Sequence, residues 1–149
     1  MSAKAVVFFT DECLGRRVPQ KLRKAGLTVQ LYLDNFKPAV PDVEWLPVVS
    51  GSRWVVLTKD EMIGRRIAEQ AVLAQCNARV FVMASTQIKT QVVAEGFIKA
   101  REAMIRLALE CEAPFIAKVY KSGDVKLWRD RDRLKSLLQQ YSDANSPEK

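Results

Sequence analysis

Apolar residues fall into short runs along this chain, and polar or turn-forming residues close each run. The first run, residues 5–9, is followed by Thr10 and then by two carboxylates, Asp11 and Glu12. A run of about four to eight apolar residues rich in valine and phenylalanine, bounded by polar residues, is typical of a buried strand. The pattern therefore predicts a first strand whose carboxyl end carries two acidic side chains.

The same reasoning predicts five further strands, with helices between them. Residues 27–33 alternate between apolar and polar positions, so we expect a second strand that ends on Asp34. The remaining strands are predicted over residues 53–58, 79–84, 115–120 and 125–128, the last two forming a hairpin. Helical spacing and helix-start residues predict helices over residues 18–25, 42–50, 61–75 and 87–110, and another after residue 129.

The order of these elements predicts the architecture. Strand and helix alternate four times before the hairpin, which is typical of an α/β fold. Right-handed crossovers then place the carboxyl ends of the parallel strands on one edge of the sheet. We expect a three-layer α/β/α fold with a mainly parallel central sheet and a C-terminal hairpin. One domain over residues 1–128 should precede a helical tail of mixed charge, residues 129–149, with a disordered end.

Composition restricts the chemistry that the chain can perform. It has 149 residues, three widely spaced cysteines and no histidine. These features argue against a disulfide framework, a structural zinc site and Ser-His or Cys-His catalysis. The GxGxxG, GxxxxGK(S/T) and GxSxG motifs of nucleotide-binding and acyl-transfer proteins are also missing from the sequence. Acid–base or metal chemistry would therefore depend on carboxylates.

The net charge of +7 gives the chain a moderate preference for polyanions. Residues 15–24 contain five basic residues and no acidic one, namely Arg16, Arg17, Lys21, Arg23 and Lys24. This segment is either a solvated helix face or a patch that binds phosphate groups. Because no apolar run approaches the ~20 residues of a membrane span and residues 1–4 lack a signal-peptide pattern, we expect a cytoplasmic protein with no membrane association.

Polar side chains suited to a cation or a phosphate follow the predicted parallel strands or open a helix beside them. In chain order they are Asp11, Glu12, Asp34, Asp42, Glu44, Asp60, Ser85 and Thr86. Ligands of open parallel sheets bind at this edge. Carboxylates brought together repel one another unless a cation or protons compensate their charge. A divalent metal with oxygen ligands, Mg²⁺ or Mn²⁺, is the simplest compensation.

Four blocks of the sequence carry a resemblance to a known family. They are FFTDECLGRR at residues 8–17, PDVEWLP at residues 41–47, WVVLTKD at residues 54–60 and PFIAKV at residues 114–119. In order and spacing these blocks resemble the PIN-like domains of the VapC toxin class, over about residues 5–128. The resemblance implies a PIN fold and a metal-dependent endoribonuclease that hydrolyses RNA phosphodiesters and is restrained by an antitoxin protein.

The resemblance also implies roles for particular residues. Carried over by position, the catalytic acids are Asp11, Glu44 and Asp60, with Asp42 as an additional metal ligand. The residues placed near the substrate phosphate are Arg16, Arg17 and Lys59, and the auxiliary candidates are Glu12 and Ser85. PIN nucleases usually have a fourth acid near the end of strand four, where this chain has Ser85 and Thr86.

Two other interpretations remain open. Because the fourth acid is missing, the chain could be a catalytically silent PIN-like module that binds RNA or protein. A phosphoryl-receiver signalling domain would use an acid pair after strand one, Asp60 after strand three, Ser85 after strand four and Lys118 on strand five. The position of Lys118 inside its strand and the C-terminal hairpin argue against the receiver. A homodimer is compatible with the PIN-like interpretation.

Overall fold

The computed structural model describes residues 6–84 and 89–145, and it contains one sheet with helices on both faces. The strands are β1 (Val7–Thr10), β2 (Thr28–Leu31), β3 (Val55–Thr58), β4 (Arg79–Met83), β5 (Phe115–Val119) and β6 (Val125–Arg129). The α-helices are α1 (Arg17–Lys24), α2 (Tyr32–Asn35), α3 (Asp42–Gly51), α4 (Ile67–Gln75), α5 (Thr90–Lys99), α6 (Arg101–Glu110) and α7 (Arg131–Ala144). Two short 3-10 helices span Glu12–Leu14 and Glu61–Gly64.

The sheet has six strands in the order β2-β1-β3-β4-β5-β6. All neighbours pair in parallel except β5 and β6, which form the antiparallel hairpin. This arrangement confirms the predicted α/β fold with a mainly parallel sheet and a C-terminal hairpin. The chain leaves β1 towards β2 on one side and returns to β3 on the other, so the strand order reverses between β1 and β3. Open α/β sheets bind their ligands at such a switch point.

Alternate residues of the central strands supply a separate core to each face of the sheet. On one face, Phe8 and Leu57 pack with buried residues of α1, α5 and α6. On the other face, Phe9 and Val56 pack with buried residues of α3, α4 and α7. Because strand side chains alternate between faces, the nearly continuous apolar runs of β1 and β3 fit strands that are covered on both sides.

The second strand is shorter than the sequence predicts. It ends at Leu31, and residues 32–35 form the short helix α2. Tyr32 turns into the core against the Phe9 ring, while the Asn35 side chain donates a hydrogen bond to the Leu31 carbonyl at 2.8 Å. The prediction that Asp34 follows the strand directly is therefore wrong. Asp34 lies on α2 instead, and its side chain is half exposed.

The predicted helix over residues 61–75 is two separate elements. Residues 61–64 form a 3-10 helix, and α4 begins only at Ile67. The Asp60 side chain accepts a hydrogen bond from the Met62 amide at 3.0 Å, which favours a tight first turn, and the chain then turns at residues 65 and 66. The predicted helix over residues 87–110 likewise divides at Ala100 into α5 and α6, and residues 87–88 lie outside the described part.

Helix α7 packs firmly against α4. Asp130 accepts a hydrogen bond from the Arg133 amide at 2.8 Å, Leu134 is fully buried, and the Lys135 ammonium donates to the Ala74 carbonyl of α4 at 3.0 Å. The predicted boundary after residue 128 falls inside β6, and the division into domain and tail stays a prediction. Residues 146–149, at the predicted disordered end, lie outside the described part. No helix among the described residues is long and apolar enough to cross a bilayer.

Candidate metal centre at the carboxyl edge of the sheet

Asp11 lies at the carboxyl end of β1, beside the carboxyl end of β3. It is 9% exposed, and its Oδ1 accepts a hydrogen bond from the Glu12 amide at 2.7 Å, which caps the following 3-10 helix. Its Oδ2 accepts a hydrogen bond from the Thr58 hydroxyl of β3 at 2.9 Å. The same hydroxyl accepts a hydrogen bond from the Asp60 amide at 3.1 Å. Thr58 therefore fixes the positions of both strand-end acids relative to each other.

The environment of Asp11 disfavours its charged form. Burial is the main cause that raises the pKa of this carboxyl from its ordinary value of 3.8 to about 6; the negative charges of Asp42 and Asp60 add to the rise, and the hydrogen bond from Thr58 opposes it. Removal from water and the Asp11 charge also raise the pKa of the neighbouring Cys13 thiol to about 11, so this thiol stays neutral. The site concentrates negative charge without a matching buried cation among the described residues.

Three further carboxylates lie close together, and the charges of two of them, Asp42 and Asp60, act on Asp11. Asp42 opens α3, Asp60 follows β3 and Glu69 lies in the first turn of α4. One oxygen from each of these residues lies within 4.8 Å of one oxygen from each of the others. Two oxygens on opposite sides of a Mg²⁺ ion would be about 4.2 Å apart, since Mg–O distances are about 2.1 Å. Small side-chain movements would thus bring the three oxygens around one ion.

Hydrogen-bond donors of the protein hold one oxygen of each of these carboxylates. The Trp45 indole N–H donates to Asp42 Oδ1 at 2.9 Å, and Trp45 itself is buried. The Met62 amide holds Asp60 Oδ1. Such contacts fix the orientation of a side chain before any ligand arrives, as partners of metal ligands usually do.

The surroundings of Glu69 suit a cation. Its Oε2 is buried and has no hydrogen-bond partner among the described residues. Burial and the Asp42 charge raise the pKa of Glu69, against the effect of Arg66. A buried oxygen without a donor is unfavourable, and a divalent cation would satisfy it. The donor set, made only of carboxylate oxygens, suits Mg²⁺ or Mn²⁺.

Arg66 provides positive charge at the rim of this group. Its Nη1 lies 3.0 Å from Glu69 Oε1 and 3.7 Å from Asp60 Oδ2. Half of the Arg66 side chain is exposed, so the guanidinium can turn outward without leaving a cavity. One cation facing several carboxylates leaves the group with net negative charge.

Of the residues named from the sequence, Asp42 and Asp60 lie in the group of carboxylates and their charges act on Asp11, but Glu44 lies elsewhere. Glu44 is exposed on α3 and is not part of the group of carboxylates. Residues two apart on a helix point in different directions, so only one of Asp42 and Glu44 can face the sheet edge. The Trp45 indole holds Asp42 in that position.

The other predicted site residues have different surroundings. The Glu12 carboxylate accepts a hydrogen bond from the Ala39 amide at 3.0 Å, which ties the loop before α3 to the start of the site. Arg16 pairs with Asp34 at 3.7 Å, both half exposed, whereas Arg17 is exposed at the start of α1. Lys59 is half-buried between Thr58 and Asp60. Ser85 and Thr86 lie outside the described residues.

Sequence reasoning missed Glu69. An acidic residue in the first turn of a helix is explained by the helix dipole alone, so it carries no specific signal. Its approach to Asp60 depends on the break between the 3-10 helix and α4. The signal that was available is its place near the start of the helix that follows the Asp60 strand end.

The fold and the acidic group agree with one protein family. The chain belongs to the PIN-like domain family, since the family model described as "PIN like domain" matches residues 6–85. This confirms the resemblance drawn from the sequence blocks. The chain is also 29% identical over 124 residues to a protein of Mycobacterium tuberculosis (strain ATCC 25618 / H37Rv) named "Putative ribonuclease VapC45". That alignment covers 80% of this chain and 89% of the relative. No solved structure gives a significant match.

Proposed function

We propose that this protein is a metal-dependent endoribonuclease and the toxin of a toxin–antitoxin pair. The observation that supports it best is the close group of Asp42, Asp60 and Glu69, whose aspartate charges act on Asp11 at the β1/β3 switch point, with a buried Glu69 oxygen that has no partner among the described residues. Membership of the PIN-like family and similarity to a relative named as a ribonuclease agree with this chemistry.

In this proposal Asp11, Asp42, Asp60 and Glu69 hold one Mg²⁺ or Mn²⁺. The ion would supply an activated water and stabilise charge on the phosphoryl group. Asp11 is oriented for its part by the Glu12 amide and the Thr58 hydroxyl. The proposal replaces Glu44 by Glu69 in the ligand set, because Glu44 is exposed outside the group.

Basic residues around the acids would hold the RNA. Arg66 lies at the rim of the acidic group, and a bound divalent ion would take over its neutralising role there. The exposed guanidinium would then be available to a phosphate oxygen, together with Lys59, Arg16 and Arg17. Arginine suits this role because its planar group binds phosphate with paired donors.

The interpretation as a catalytically silent module rested on a missing fourth acid. Glu69 offers a fourth carboxylate for the proposed metal site, which weakens that interpretation. The receiver interpretation needs Lys118 at the phosphoryl site, yet its Nζ lies 3.8 Å from Glu61 and 4.1 Å from the centre of the Trp128 ring. An antitoxin partner and a cytoplasmic location belong with the toxin assignment and are proposed with it. A homodimer is proposed on the same basis.

The test is cleavage of a mixed RNA pool by the purified full chain with Mn²⁺, compared with EDTA and with two variants. We expect Asp60→Asn and EDTA to abolish cleavage, because both remove the metal from the acidic group. Glu44→Gln is the matched control and should cut like the wild type. Absence of cleavage by the wild type, or equal cleavage by Asp60→Asn, would overturn the proposal and favour a silent binding module.

A further inference from the structure

We propose that a cluster of cations around Trp128 is a second phosphate-binding site, which holds the single-stranded RNA beside the acidic group. The Trp128 cluster consists of Arg65, Lys118, Trp128 and Arg129. Sequence reasoning considered only its Lys118, as the lysine of a receiver domain, and no residue of the cluster belongs to the acidic group. As an RNA site it rests on the proposed ribonuclease function, but its binding step can be tested without cleavage.

The geometry of the Trp128 cluster is specific. Lys118 Nζ lies 4.1 Å from the centre of the Trp128 ring, the Arg129 guanidinium 4.7 Å and the Arg65 guanidinium 5.6 Å. Cations within about 6 Å of an indole ring are attracted by the negative charge of its faces. The ring therefore gathers three positive charges from a loop and two strands into one place.

The contact between Gly64 and the Trp128 ring fixes the position of the ring. A Cβ atom on Gly64 would lie 2.3 Å from the Trp128 ring, so only glycine allows the ring to approach the backbone this closely. Arg129 also donates a hydrogen bond to the Gly64 carbonyl at 3.3 Å. The ring and Arg129 are thus fixed against the second 3-10 helix.

The charges of the Trp128 cluster are only partly neutralised. Glu61 lies 3.8 Å from Lys118 and 4.0 Å from Arg65 and compensates part of their charge. Among the described residues, Arg129 has no carboxylate within 4.0 Å. Burial lowers the pKa of Arg129, and the positive charges of Arg133 and Arg65 act in the same direction. An incoming phosphate would relieve this repulsion.

The position of the Trp128 cluster favours RNA as its ligand. The 3-10 helix that carries Gly64 begins directly after Asp60, and Arg65 is followed by Arg66, which contacts Asp60 and Glu69. If one phosphate of a nucleic-acid strand lay at the acidic group, the next phosphates along that strand would lie near the Trp128 cluster. Cations combined with an aromatic ring are typical of surfaces that bind single strands.

The experiment measures binding of a short fluorescein-labelled single-stranded RNA to the full chain in EDTA, by anisotropy at several salt concentrations. The test variant is Arg65→Gln/Arg129→Gln. Each phosphate contact contributes about 0.7 to the slope of log affinity against log salt. We expect the slope to fall by about 1.4, so the affinity gap to the wild type should grow about sevenfold between about 200 and 50 mM salt.

Two controls separate binding from folding. Arg106→Gln removes an exposed arginine of α6, on the opposite face of the sheet, and should leave the slope unchanged. Arg129→Lys keeps the charge and should retain most of the slope. A merely structural role would lower the melting temperature of the double variant while its slope stayed that of the wild type, and that result would overturn the inference.

The binding measurement can be interpreted whether or not the protein cleaves RNA. If the wild type cuts RNA but the double variant binds it with an unchanged slope, the inference fails and the proposed function stands. If no RNA is cut but the slope falls as expected, the Trp128 cluster is an RNA site of a silent module.

Discussion

Replacing Asp11 with asparagine should stabilise the metal-free protein near neutral pH. The Asp11 carboxyl is nearly inaccessible to water and faces the charges of Asp42 and Asp60, which is why its pKa is raised to about 6. An asparagine side chain has nearly the same shape and no charge. Its oxygen can accept one of the two hydrogen bonds, and the Thr58 hydroxyl can rotate to accept from the amide group.

The pKa difference gives the magnitude. From 3.8 in the unfolded chain to about 6 in the folded protein, it corresponds to about 3 kcal/mol of destabilisation once Asp11 is ionised. Because asparagine reproduces the hydrogen bonds imperfectly, we expect a gain of about 1–2 kcal/mol from Asp11→Asn. For a chain of this size that corresponds to a rise of about 2–8 °C in melting temperature.

The sign of the pH dependence follows from the raised pKa. Between pH 3.8 and about 6 the folded state binds more protons at Asp11 than the unfolded state does, so the stability of the wild type falls as pH rises. The asparagine variant lacks this titration. Its advantage should therefore be absent near pH 4, where only the cost of its imperfect hydrogen bonds remains, and complete above about pH 7.

The assay is urea unfolding of both proteins in EDTA, near pH 4 and near pH 7.5. Glu44→Gln, which removes an exposed carboxylate outside the acidic group, should change stability by less than about 0.5 kcal/mol at either pH. Saturating Mn²⁺ should stabilise the wild type more than Asp11→Asn, since a ligand of the folded state stabilises it by mass action. An equal gain at both pH values would refute the reasoning, because it would show that packing rather than charge burial is responsible.

Three other predictions follow from particular contacts. Glu69→Gln should weaken Mn²⁺ binding, measured by calorimetry, about tenfold or more, whereas equal weakening by Glu44→Gln would contradict the ligand set. Gly64→Ala should destabilise the fold by about 1–3 kcal/mol because its Cβ meets the Trp128 ring, and the loss should shrink in a Trp128→Leu background. Leu134→Ala should cost about 2–5 kcal/mol in urea unfolding, whereas a loss below about 0.5 kcal/mol would mean that α7 is only loosely attached.

The sequence predicts the parts of the site that depend on strand ends. Asp11 and Asp60 each follow an apolar run that is covered on both faces, so strand length and direction alone place them at one edge. Asp42 was also predicted as a metal ligand, but so was Glu44. Which of these two acids faces the sheet edge depends on how α3 is rotated about its axis. The buried Trp45 fixes that rotation, and its indole N–H holds Asp42 by a hydrogen bond.

The remaining parts depend on contacts between elements distant in the sequence. Glu69 reaches the site because the chain turns between the 3-10 helix and α4, and a helical pattern over residues 61–75 gives no sign of that turn. The Trp128 cluster requires β6 to lie next to the 3-10 helix through Gly64. Neither glycine nor tryptophan carries a local signal for this contact.

The acidic group is better explained by function than by stability. Burying Asp11 beside other carboxylates destabilises the folded chain, and the buried oxygen of Glu69 lacks a donor among the described residues. Yet Thr58, the Trp45 indole and the Met62 amide hold these side chains in position without any ligand. Under the proposed function, a fold that accepts this cost keeps the carboxylates in position in advance, so that a cation would gain affinity without the side chains having to be ordered when it binds. The packing of α7 and the two cores supplies the stability that such a site requires.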